Sequence, residues 1–187
     1  TDHSAQDERG VEGGKRDDPV NADRHGQQAI VRAGTELSKA AGAFILLHGR
    51  GGSAADILGL GESLSPAGWA LMAPQAAAHT WYLYSFLAPR EENEPYLTSA
   101  LQQVRSAVET ALAAGIAREK IVLAGFSQGA CLATEFVGRN AARYGVILAF
   151  TGGLIGPPGT PISLTGDLAG TPVLLSSGDP DPHVPWD

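Results

Sequence analysis

The pentapeptide Gly125-Phe126-Ser127-Gln128-Gly129 sets a hydroxyl between two glycines at the point where an apolar run ends. A serine that is to attack a carbonyl must leave a strand end on a turn too tight for bulky neighbours, and glycine two residues to either side meets that demand. The same turn puts the N–H of Gln128 at the start of a helix, beside the place where an oxyanion would develop. Alone, G-x-S-x-G is a weak signal, because 24 glycines in 187 residues make chance matches common. Its context strengthens it: the apolar residues 121–124 precede it, and Gln128 to Arg139 follow without an interior proline, so strand, turn, helix is the expected local structure. The chemistry this implies is nucleophilic acyl transfer; an ordinary strand-to-helix glycine turn is the plainer alternative.

A second glycine-rich stretch, His48-Gly49-Arg50-Gly51-Gly52-Ser53, follows the apolar run 43–47, and Ser53 is placed to cap a helix over Ala54–Leu64. It lacks the lysine and the spacing of a phosphate loop. The Arg50 N–H is instead expected to complete an oxyanion hole with that of Gln128. His48 is expected to order this turn by hydrogen bonding rather than to act as a base. Trp81 and Tyr82 head an aromatic cluster that is expected to wall a pocket for an acyl or aryl group, with core packing as the alternative. Asp181, held between Pro180 and Pro182, is a rigidly presented carboxylate and the expected orienter of a catalytic histidine, with Asp179 as its competitor. His3 and His25 fall in a polar segment and carry little weight, and His79 has no carboxylate supplied nearby. No H-x-x-x-H or clustered Cys/His spacing occurs, so neither a metal nor another cofactor is expected.

These residues need a frame. Residues 1–28 contain only Val11 and Val20 as sizeable aliphatics and read as a polar, flexible arm, leaving 29–187 as one domain. Residues 29–34 and 43–47 look like two strands joined by a polar turn, the second apolar on both faces as a central strand should be. A further strand is expected at 68–74 and the longest helix from about residue 93 or 94 to about 114, with Leu97, Leu101, Val104, Val108 and Leu112 as its core stripe. Strands at 145–150 and 171–178 follow. Strands alternating with long helices imply a mainly parallel sheet with helices on both faces, and right-handed crossovers place the loops after residues 47, 125 and 177 along one edge.

Composition narrows the partners. A net charge of −7 and a pI near 5.1 argue against a basic field for nucleic acid or anionic membranes. No apolar run approaches a membrane span, and a single cysteine, Cys131, forms no internal disulfide and reads as a small core filler. A cytoplasmic home is expected.

Taken together, Leu47-His48-Gly49-Arg50-Gly51, Gly125-Phe126-Ser127-Gln128-Gly129-Ala130 and Gly178-Asp179-Pro180-Asp181-Pro182-His183-Val184-Pro185 resemble the phospholipase/carboxylesterase family of the α/β-hydrolases, small bacterial serine esterases related to acyl-protein thioesterases. The resemblance implies an α/β-hydrolase fold and a serine hydrolase of carboxylic esters, or of thioesters, that works through an acyl-enzyme. It implies Ser127 as nucleophile, Asp181 as acid, and Arg50 and Gln128 as oxyanion amides. The expected partner is a small acyl or aryl ester, with a homodimer open as the assembly. In that family the catalytic histidine lies beyond the acid, past a further helix and strand, whereas this sequence runs six residues past Asp181. The expectation is therefore that the C-terminal part carrying the histidine lies outside the sequence as given, with His183 a poor substitute so close to Asp181. A non-catalytic binding protein on the same scaffold is the alternative.

Overall fold

A computed structural model describes residues 23–161, 166–178 and 181–182. Among them six strands form one sheet in the order β1-β3-β2-β4-β5-β6. These are β1 (Ile30–Gly34), β2 (Ala43–Leu47), β3 (Ala70–Pro74), β4 (Ile121–Phe126), β5 (Val146–Phe150) and β6 (Val173–Ser176). All pairings are parallel except that of β1 with β3. Three helices connect them: α1 (Ala54–Leu64), α2 (Tyr96–Ala113) and α3 (Gln128–Arg139).

Side-chain alternation along the strands divides the core into two layers. On β2, Ala43, Ile45 and Leu47 pack with α2 and α3 residues such as Leu97, Val104 and Leu132, while Phe44 and Leu46 pack with Ala54, Ile57 and Leu58 of α1. On β4, Ile121 and Leu123 join the first layer and Val122 and Ala124 the second. Every residue of β2 is therefore buried, as the double-faced apolar pattern predicts.

The bounds of α1 follow from its cap. The Ser53 hydroxyl accepts from the Asp56 N–H at 3.2 Å and the Asp56 carboxylate accepts from the Ser53 N–H at 2.9 Å, a capping box that contributes about 1 kcal/mol. The start of α2 is later than the sequence reading places it. Glu94 precedes a proline and takes an extended conformation (φ −82°, ψ 150°), so helix begins only at Tyr96. Its carboxylate then accepts from the Thr98 N–H at 3.0 Å and serves the first turn. Of the expected core stripe on this helix, Leu112 is only partly buried.

The strands expected at 29–34 and 43–47 both form but do not pair with each other: β2 has both edges taken by the parallel strands β3 and β4, so the less buried β1 goes to the outside of β3. The end of the polar arm is also docked. The His25 N–H donates to the Ser99 hydroxyl at 2.8 Å, Ser99 donates to Asp23 at 2.8 Å, and Gln103 donates to the Gln28 carbonyl at 3.0 Å, tying 23–28 to α2. His25 itself is fully buried, which the polar composition around it does not suggest.

Register positions the site. Leu47 pairs with Gly125, Gly125 with Ala149, Phe126 with Phe150 and Phe150 with Ser176. The chain segments that leave β2, β4, β5 and β6 therefore emerge level with one another at the carboxyl edge of the sheet. At the far side β6 carries Val173, Leu174 and Leu175 with about half or more of their surface exposed.

Candidate active site

Ser127 stands alone between the last residue of β4 and the first of α3. Its backbone has φ 52° and ψ −116°, a positive φ that costs a β-carbon-bearing residue about 1–3 kcal/mol. The Ser127 N–H donates to the Phe150 carbonyl at 2.8 Å, and its own carbonyl receives the Cys131 N–H at 3.1 Å, opening the helix. The flanking glycines are demanded by contact. A β-carbon at 125 would lie 2.3 Å from the Gly129 carbonyl oxygen, and one at 129 would lie 2.1 Å from that of Leu47.

Ser127 opens into a cavity of about 310 Å³ lined with Arg50, Gln128, Tyr82, Tyr84, Ser85 and Phe86. Cys131 and Thr151 complete its wall. Burial pushes the Cys131 thiol up from its ordinary pKa and keeps it neutral; its sulfur accepts from the Gly153 N–H at 3.4 Å. Tyr82 is likewise pushed up, by burial first.

Trp81 does not line this cavity, contrary to the sequence reading. It is fully buried, and its indole N–H donates to the His48 carbonyl at 2.8 Å. Its ring contacts those of both His48 and His25, at centroid distances of 5.0 and 5.6 Å. An indole offers a large apolar surface and one donor, and a core position beside a carbonyl uses both. The pocket wall is instead made by Tyr82, Tyr84 and Phe86, spaced two residues apart.

Gln128 does more than its backbone position suggested. Its side-chain oxygen accepts from the Trp81 N–H at 2.9 Å, and its amide nitrogen donates to the Tyr82 carbonyl at 2.8 Å. One helix side chain thus clamps the aromatic loop as a neighbouring strand would. Its backbone N–H, in the first turn of α3, has no partner within the helix and points along the positive end of the dipole. Arg50 ties the glycine-rich loop to the same aromatic segment, donating to the carbonyls of Leu83 and Tyr84 at 2.9 Å each. In that loop the Gly51 N–H is spent on the His79 carbonyl and the Gly52 N–H on that of Gly49.

The histidines sort by their partners. His48 is buried, its Nδ1 donating to the Gly49 carbonyl at 2.8 Å and its Nε2 accepting from the Ala76 N–H at 3.1 Å, so it orders the loop as expected. His25 mirrors it one residue on: Nδ1 accepts from the Ala77 N–H at 3.0 Å and Nε2 donates to the Trp81 carbonyl at 3.0 Å. Burial holds both below the ordinary value of 6.5, so both rings are neutral. His79 contacts the Gly52 carbonyl at 2.8 Å through Nδ1. Asp181, half-buried beyond β6, accepts from the Ser177 hydroxyl at 2.7 Å. Asp179 and His183 lie outside the described residues. Among the described residues no cluster of metal-binding side chains occurs, and no helix is long and apolar enough to cross a membrane.

A mainly parallel sheet covered by helices on both faces, with a strained serine between a central strand and its following helix, is the architecture of the α/β-hydrolases. Within that class the chain belongs to the phospholipase/carboxylesterase family, whose sequence pattern matches residues 28–187. It is similar to a phospholipase/carboxylesterase from Dyadobacter fermentans at 49% identity and a TM-score of 0.82, over 86% of this chain and 77% of that one. A carboxylesterase from Bacillus cereus shares the fold at 21% identity and a TM-score of 0.57, over 85% of this chain and 74% of that one. Acyl-protein thioesterase 1 of Schizosaccharomyces pombe is 31% identical over 107 residues, 56% of this chain. That match spans about half, 47%, of the relative's length.

Proposed function

We propose that the protein hydrolyses carboxylic esters, thioesters included, with Ser127 as nucleophile. The observation that carries this reading is a serine held at positive φ between β4 and α3, on the floor of a partly aromatic cavity. In the first step the Ser127 oxygen attacks the substrate carbonyl, its proton passing to a general base. The amides of Gln128 and Arg50 receive the oxyanion, the leaving group departs with a proton, and water then releases the acyl group. His25 and His48 are unsuited to the base's role because both nitrogens of each ring are already engaged by the backbone. Asp181 is the proposed orienter of the catalytic imidazole. It follows β6, two strands from β4, a separation of about 10 Å across the sheet that an imidazole placed between them would bridge. The family and its neighbours support an ester substrate; the cavity suits a small acyl or aryl group. A cytoplasmic home fits the single, buried, unbridged cysteine.

The test is labelling with a fluorophosphonate and turnover of 4-nitrophenyl esters. The wild type should label and hydrolyse, while Ser127→Ala should lose labelling and at least about a thousand-fold in kcat/KM. An unlabelled wild type would instead make the chain a binding protein on a hydrolase frame, and full activity in Ser127→Ala would remove Ser127 from the mechanism.

A further inference from the structure

Arg50 alone brings charge to the lining of the Ser127 cavity, in a chain whose net charge is −7. Among the described residues no carboxylate pairs with it. Asp56, the acid nearest in sequence, is spent on the Ser53 amide and hydroxyl at 2.9 and 2.7 Å. The two bonds from Arg50 to the Leu83 and Tyr84 carbonyls fix the guanidinium in place, yet carbonyl oxygens do not neutralise it, and the planar fork keeps N–H donors beyond those two. The first turn of α3 adds its positive end to the same cavity through Gln128. A structural role alone, tying two loops together, does not call for a full positive charge there, since any pair of neutral donors would serve.

We propose that Arg50 selects esters that carry a carboxylate, with the guanidinium receiving that group while Ser127 attacks the ester carbonyl. This rests on reading the cavity as an esterase site and names its substrate class. The charge sits on either the acyl or the alcohol side, and the two sources are separable. Because the Arg50 side chain is exposed at the rim, its preference is screened by salt.

The experiment compares kcat/KM within two matched pairs: mono-4-nitrophenyl adipate against 4-nitrophenyl hexanoate for the acyl side, and 4-carboxyphenyl butyrate against 4-carbamoylphenyl butyrate for the alcohol side. The readout is the anionic-to-neutral ratio, which cancels any loss that both esters share through the loop. The wild type should favour the anion about ten-fold or more in one pair, falling at high ionic strength. Arg50→Gln should bring that ratio near one and Arg50→Lys should restore part of it. A wild-type ratio near one in both pairs, or a ratio that Arg50→Gln leaves unchanged, overturns the proposal while leaving the esterase reading intact. The wild-type salt dependence decides the matter if the variants do not fold: a preference that salt does not weaken overturns it. If the wild type cleaves none of the four esters, calorimetry with the corresponding uncleavable anilides takes over. Tighter binding of the anionic anilide then upholds the charge selection although the esterase reading fails, and equal binding overturns both.

Discussion

Gly125 and Gly129 hold their positions against neighbours that cannot give way. The atoms a new β-carbon would meet are main-chain carbonyls of Gly129 and Leu47, not flexible side-chain ends. Gly129→Ala must therefore push α3 off the end of β2, and we expect a loss of about 3 kcal/mol or more in urea unfolding, with hydrolysis falling further than the unfolded fraction explains. Stability within about 0.5 kcal/mol of wild type would show that the strand and helix ends can part without penalty. This requirement was visible in the sequence because it is local: residues 125, 127 and 129 meet in one turn. The direction of Trp81 was not. A row of aromatics announces bulk but not which side each ring takes, and that is settled by the His48 carbonyl, 33 positions away.

At the scale of elements, the segment 75–86 is held from three directions. His48 and His25 receive the adjacent amides of Ala76 and Ala77, Gln128 clamps Trp81 and Tyr82, and the Trp81 indole reaches back to the glycine-rich loop. Trp81→Phe keeps most of the apolar contact but leaves the buried His48 carbonyl without this donor. It should cost about 1–3 kcal/mol in chemical denaturation and raise KM more than it lowers kcat, because the wall moves while the serine stays. An unchanged midpoint and unchanged kinetics would reduce the indole to filler. The helices α1 and α3 were legible to the residue because Ser53 and Ser127 punctuate them locally. The partner of β1 and the burial of His25 were not, since each depends on residues more than 35 positions distant.

For the whole molecule, two buried neutral imidazoles set an acid limit. Burial lowers the folded pKa of His25 and His48 below the unfolded value of 6.5, so below that value the unfolded chain binds more protons than the fold. The stability they support is complete above about pH 6.5 and is lost as pH falls toward their folded values. Asp56 and Glu36 are also lowered, by hydrogen bonds from Ser53 and Lys39, but from 3.8 and 4.5, so their losses come only in stronger acid. Tm should be level from pH 8 to 7 and should then fall as the pH drops below about 6.5; a flat Tm there would mean the two rings accept protons in place. The backbone of 83–85 suggests a different freedom. It is carried by side chains that belong elsewhere, Arg50 through the Leu83 and Tyr84 carbonyls and Asn93 through the Tyr84 amide and the Ser85 carbonyl. The Ser85 hydroxyl takes the Leu87 amide and the Phe86 ring packs on the core, whereas the exposed Tyr84 ring has no part in holding that path, so position 84 is where a mutant library would reshape the cavity wall without rebuilding the scaffold.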